Sequence, residues 1–133
     1  MGVVVLDASV VIGLRDADDP RHPAARRAVD RARQLHRLVL PASAFAESLV
    51  RPLLSGLDEA VAGGPLLRLC TVGPLTASIA MTAARLRGQT SLRLPDALVV
   101  ATGIELDAIQ TLTFDDRWKG VDRRVKVLGA AAR

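Results

Sequence analysis

The chain has no tyrosine, and Phe45, Phe114 and Trp118 are its only aromatic residues. With so few rings, any binding of nucleic acid cannot rest on a stacking platform. One cysteine, Cys70, excludes an intramolecular disulfide and a cysteine-based metal site. It falls in the apolar run Leu66 to Val72, where a thiol reads as a small buried hydrophobe. Histidine is nearly as scarce: His22 and His36 bracket a basic segment and read as surface residues. No run approaches the roughly 20 apolar residues of a membrane span. The N-terminus shows no basic region followed by an apolar leader. The expectation is a cytoplasmic protein without membrane association.

What is present is apolar and cationic. Half of the 133 residues are hydrophobic, which argues against disorder and for one compact domain over residues 1–133. The formal charge is +4, with Lys119 and Lys126 as the only lysines, so arginine carries the rest. Arginine's planar fork suits phosphate and points to a polyanionic substrate or an acidic partner. A GC-rich genome explains the same Ala- and Arg-rich composition.

Short β-branched runs alternate with helical patterns. Val3 to Leu6, Leu38 to Pro41, Leu67 to Val72, Ala108 to Phe114 and Val125 to Leu128 read as strands. Helices are expected at Ala8 to Leu14, His22 to His36, Ala42 to Leu54, Leu57 to Ala62, Thr76 to Arg87 and Asp96 to Leu106. Continuous rather than alternating apolar strands indicate burial on both faces, hence an α/β fold with a mostly parallel sheet of about five short strands. Ala130 to Arg133 reads as a frayed tail.

Four acids stand against or inside these apolar runs: Asp7 after Val3 to Leu6, Glu47 within Ala42 to Val50, Asp96 before Ala97 to Ala101, and Asp115 after Ile109 to Phe114. Each has an ordinary explanation. Asp7 can cap a helix, Asp96 sits where a helix macrodipole favours an acid, and Asp115 can serve a turn that Asp116 serves equally. Glu47 borders the core stripe Ala42, Phe45, Ala46, Leu49 and Val50. In a parallel sheet, however, strand C-terminal ends and helix starts converge on one edge. Four acids there, with no histidine among them, suggest a hard divalent cation and phosphate chemistry.

Val3 to Val10 (VVVLDASV) resembles the opening motif of PIN-domain ribonucleases, especially VapC-type toxins of bacterial toxin–antitoxin pairs. Pro41 to Glu47 resembles their second acidic motif, and Leu94 to Thr102 their third-acid helix. Thr113 to Trp118 resembles the final motif, whose register selects Asp115 over Asp116. The motifs occur in family order across nearly the whole chain. Two departures are Trp118, where the family more often has Phe or Leu, and Gly103, which interrupts a helix that in the family is usually richer in Ala.

The resemblance implies a three-layer α/β/α fold and an endoribonuclease acting as the toxin of a type II pair. Its products would carry a 5′-phosphate and a 3′-hydroxyl. Asp7, Glu47, Asp96 and Asp115 would hold Mg2+, with Mn2+ as substitute, as one ion or two. Ser9 and Thr113 would support them, or serve only as cap and turn residues. The implied partners are an RNA substrate, a cognate antitoxin and a second copy in a homodimer. An inactive PIN scaffold that binds RNA or protein, and a PIN ribonuclease of RNA processing, are alternatives. A dehalogenase-type phosphatase would want Asp where Ser9 stands, and a receiver domain would want a lysine that neither Lys119 nor Lys126 supplies.

Overall fold

In the computed structural model, residues 2–129 are described; the expected tail, Ala130 to Arg133, lies outside them. The elements in chain order are β1 (Val3–Leu6), α1 (Ala8–Arg15), α2 (His22–Leu35), β2 (Arg37–Pro41), α3 (Ala42–Leu54), α4 (Glu59–Leu69), β3 (Thr71–Gly73), α5 (Ala77–Gln89), α6 (Leu94–Glu105), β4 (Gln110–Thr113), a 3-10 turn (Asp116–Trp118) and β5 (Val125–Val127). The five strands form one sheet in the order β3-β2-β1-β4-β5, with every pairing parallel.

β1 lies at the centre, and Val4, Val5 and Leu6 are all buried, as a strand covered on both faces requires. The crossover from β1 to β2 runs one way along the sheet, and that from β3 to β4 runs back. Right-handed connections therefore place α1 and α2 on the opposite face from α5 and α6. The order reverses between β1 and β4. That is the crevice where open parallel sheets bind ligands.

Gly103 has a packing reason. A Cβ there would collide with the Thr111 hydroxyl on β4, so the missing side chain lets α6 lie close against the sheet.

Several sequence expectations need correction. Leu67 to Val72 is not a strand: α4 continues past Gly63, Gly64 and Pro65 to Leu69, and β3 begins only at Thr71. Burial explains why. Ala62, Gly63 and Leu66 are buried while Leu67 is 58 % exposed, a helical rather than an alternating pattern. The Asp58 side chain starts this helix by accepting from Val61 N–H at 2.8 Å.

The core stripe of α3 is also displaced. Ala44 and Ser48 face inward, whereas Ala46 and Val50 are exposed. On α5, Thr82 is buried beside Ile79, Ala83 and Leu86, whereas Ala80 and Ala84 are exposed. On α2, Ala25, Val29 and Ala32 are buried, and Leu35 at its end is exposed. The histidines are half-buried rather than free on the surface: His22 Nδ1 lies 3.0 Å from the Gly13 carbonyl, and Gly2 N–H donates to His36 Nδ1 at 3.0 Å. Cys70 is buried and free, and burial pushes its thiol up to about 11. Among the described residues, no helix is long and apolar enough to cross a membrane.

Candidate active site

Asp7 leaves the end of β1 and stands at the N-cap position of α1, yet its side chain makes no capping hydrogen bond. The carboxylate is directed elsewhere. Its Oδ2 accepts from Ser9 Oγ at 2.7 Å and from Thr113 Oγ1 at 2.8 Å. Each hydroxyl also accepts a backbone N–H beyond β4: Ser9 from Phe114 at 3.1 Å, and Thr113 from Asp115 at 3.1 Å. The two hydroxyls thus tie Asp7 to the end of β4 and fix its orientation. Burial pushes the Asp7 carboxyl above its ordinary range, although the two hydroxyl bonds favour the charged form.

Asp96 lies in the first turn of α6, after Pro95, and likewise makes no cap. Burial raises its pKa, and the Asp115 charge raises it further; Arg93 and Arg117 oppose this. The nearby Trp118 has a smaller effect in the same sense as the arginines, and its buried indole nitrogen has no hydrogen-bond partner. Glu47, a turn and a half into α3, is the most open of the four acids. Desolvation raises its pKa first, followed by the charges of Asp7 and Asp96. Those mutual effects place the three carboxylates within electrostatic reach of one another.

Asp115 differs. It starts the 3-10 turn by accepting Arg117 N–H at 2.9 Å, so its turn role is real. It is also gripped by the Arg117 guanidinium, whose Nη2 lies 2.6 Å from Oδ2 and whose Nε lies 3.0 Å from Oδ1. This fork holds the Asp115 carboxyl below its ordinary range. The same Nη2 comes within 4.0 Å of Asp96 Oδ2.

All four acids, together with Ser9, Arg21, Arg93, Asp116 and Arg117, line one open concavity at the crevice between β1 and β4. Thr113 acts from below it, through Asp7. The arginines were not singled out in the sequence. Arg117 follows Asp115 by two positions, and Arg93 precedes the Pro95-Asp96 pair by two, but nothing in a chain this rich in arginine distinguishes them. Arg21 lies over the Phe114 ring, 5.6 Å from its centroid, at the rim.

The donor set is all oxygen and suits a hard divalent cation. Among the described residues, however, no three carboxylate, imidazole or thiol groups are gathered closely enough to hold an ion as they stand. The Arg117 guanidinium already pairs with Asp115 and approaches Asp96. Asp7, Asp96 and Glu47 have no such bidentate partner, and Arg93 offsets only part of the rise at Asp96 and Glu47.

No curated protein sequence matches the chain significantly. Solved structures resemble it closely in shape. A chain of a toxin–antitoxin complex from Klebsiella pneumoniae superposes with a TM-score of 0.78 at 18% identity, covering 93% of this chain and 96% of that one. VapBC2 from Rickettsia felis, bound to a DNA fragment from its promoter, gives 0.78 at 11% identity, with coverages of 96% and 99%. The Mycobacterium tuberculosis toxin VapC20, which cleaves the sarcin-ricin loop, gives 0.74 at 18% identity, with coverages of 95% and 99%. At such identities the likeness establishes the fold. The PIN domain model matches residues 4–124, nearly the whole length, and the chain therefore belongs to the PIN domain family.

Proposed function

We propose that this protein is a metal-dependent endoribonuclease that acts as the toxin of a type II toxin–antitoxin pair. The observation that carries the reading is the convergence of Asp7, Glu47, Asp96 and Asp115 on one concavity at the sheet's switch point. The resemblance in shape to toxin–antitoxin proteins, one of them an RNA-cleaving toxin, supports it.

Asp7 and Asp96 are assigned as the central holders of the ion, Asp115 as the group that completes the site, and Glu47 as the orienter of water or a second holder. Ser9 and Thr113 fix the Asp7 carboxylate and so leave its other oxygen free for the concavity. When bound, Mg2+ or Mn2+ supplies an acidified water and neutralises the scissile phosphate. The arginines that line the same concavity, Arg21, Arg93 and Arg117, are assigned to the flanking phosphates of an RNA strand. Single-stranded or looped RNA is the expected substrate, because an open acidic concavity has no means to separate a duplex.

The cognate antitoxin is assigned to the adjoining groove lined by Ile12, Arg51, Pro52, Leu54 and Leu57, which meets the acids at Glu47. Leu54 is 82 % exposed, and Val50 and Leu53 beside it are exposed as well. A homodimer belongs to the same reading.

Incubating purified protein with a looped RNA and Mg2+ should give internal cuts with 5′-phosphate ends, abolished by EDTA. Full cleavage in excess chelator would overturn the metal mechanism. Absence of cleavage under every metal, with RNA still retained, would favour the inactive scaffold. Leu54→Glu and Leu57→Glu should release the antitoxin while cleavage persists.

A further inference from the structure

The acid concavity is also lined by residues that carry no acid: Ile12, Arg21 and Phe114, beside Ala8 and Ser9. Ala8, Ser9 and Ile12 share one face of α1 by their spacing of three and four. Ile12 is 42% exposed, an apolar side chain left open next to the acids. Phe114 is the only aromatic residue lining the concavity, since Trp118 is fully buried and Phe45 lies against Gly63 of α4. Its ring is half-buried against the core, and the Arg21 guanidinium lies over it, 5.6 Å from the centroid. Arg21 is held there by its backbone rather than by an acid. Its N–H donates to Asp19 Oδ1 at 2.8 Å. A Cβ on Gly13 would stand 3.2 Å from the Arg21 Cβ, so the bare glycine lets the arginine stem lie close to α1. Among the described residues the Arg21 guanidinium forms no ion pair.

We propose that Ile12, Arg21 and Phe114 form a nucleobase subsite, which takes one base of the RNA strand while the acids face its backbone. The proposal rests on the nuclease reading above. A guanidinium is flat and weakly hydrated, so an unpaired base stacks on it as on a ring. Phe114 supports the Arg21 group from one side and leaves its far side to the concavity. Ile12 offers apolar surface beside it, which suits the uncharged base better than a phosphate. The N–H groups at the guanidinium edge remain for the adjoining phosphate, so one residue serves both base and backbone. With only three aromatic residues in the chain, a row of stacked bases is excluded, but a single subsite is not. Such a subsite next to the acids makes cleavage selective for the nucleotide it receives.

The probe is a fluorescein-labelled looped RNA, with copies that each carry one abasic ribose near the cut. Fluorescence anisotropy gives affinities on an Asp96→Asn background, where the RNA stays whole. Arg21→Lys keeps the charge and loses the plane. It should weaken binding of the intact RNA about tenfold, as loss of one base stack does. It should leave unchanged the affinity for one abasic copy, whose missing base identifies the occupant. Phe114→Leu should show the same pattern; should it misfold, Arg21→Lys, at an exposed position, still decides. An Arg21→Lys variant that binds the intact RNA like its parent, or loses affinity equally on every abasic copy, reveals an arginine that acts without a base. That result overturns the proposal while the nuclease reading stands. A wild type that neither cuts nor retains any looped RNA would instead overturn the nuclease reading, and the subsite with it.

Discussion

Replacing Asp7 by Asn keeps an oxygen for the Ser9 and Thr113 hydroxyls while removing the charge that burial penalises. Asp7→Asn should therefore abolish RNA cleavage and leave the metal-free protein at least as stable as the wild type. Asp7→Ala strands two hydroxyls and should cost about 1–3 kcal/mol in denaturant unfolding. The contrast separates a metal ligand from a helix cap, for which Asn would be equivalent and function untouched. A second residue-scale outcome concerns Arg117. Its fork on Asp115 occupies the place a cation would compete for, so Arg117→Ala should bind Mg2+ severalfold tighter by calorimetry. Unchanged affinity would mean that the guanidinium moves aside without cost. At this scale the acids were legible because each stands against or inside an apolar run. The roles of Ser9 and Thr113 were open between cap and support, and only the Asp7 geometry decides for orientation. The arginines were illegible, since a guanidinium's reach spans many sequence separations.

Elements were legible where periodicity was unambiguous. β1, α1, α2, α3 and α6 fall within a residue or two of expectation, because continuous β-branched runs and helical stripes differ in length as well as period. The failure at α4 has a physical source. Gly63-Gly64-Pro65 reads as a helix stop, and Leu67 to Val72 as a buried strand, because a short apolar run has no period that distinguishes strand from helix. Packing of Ala62 and Leu66 carries the helix through the proline. Gly103 shows the reverse: an apparent departure from a helical pattern is the contact that seats α6 on β4. Gly103→Ala should cost about 1–3 kcal/mol by overpacking against Thr111. Thr111→Val should be close to neutral alone, since that buried hydroxyl has no hydrogen-bond partner. Thr111→Ala should relieve part of the Gly103→Ala cost in a double-mutant cycle of denaturant melts. Full additivity would show that the clash is absorbed elsewhere.

For the whole molecule, parallel strands alternating with helices imply one ligand-bearing edge, and this is why four acids scattered over more than a hundred residues were expected to meet. They meet in a state whose electrostatics depend on pH in two opposite ways. Asp7, Glu47 and Asp96 have raised pKa values, so the folded protein binds more protons than the unfolded chain. Their contribution is fully present below the unfolded carboxylate pKa of about 4 and is lost as pH rises through the raised folded values. Asp115, held low by Arg117, acts in the other sense: its contribution is present above the unfolded pKa and is lost as pH falls through the lowered one. Metal-free stability should therefore decline from mildly acid toward neutral pH. Thermal melts between about pH 4 and 8 should show that decline reduced in Asp7→Asn, which removes the most buried of the three charges. Mg2+ bound only to the folded form should restore stability at neutral pH by about 2.7 kcal/mol at a hundredfold excess over its dissociation constant. It should do little near pH 4, where protons occupy the same carboxylates. A wild type whose melting temperature is indifferent to Mg2+ at neutral pH, together with a pH profile that Asp7→Asn leaves unchanged, would mean that the four acids share an edge without sharing a cation.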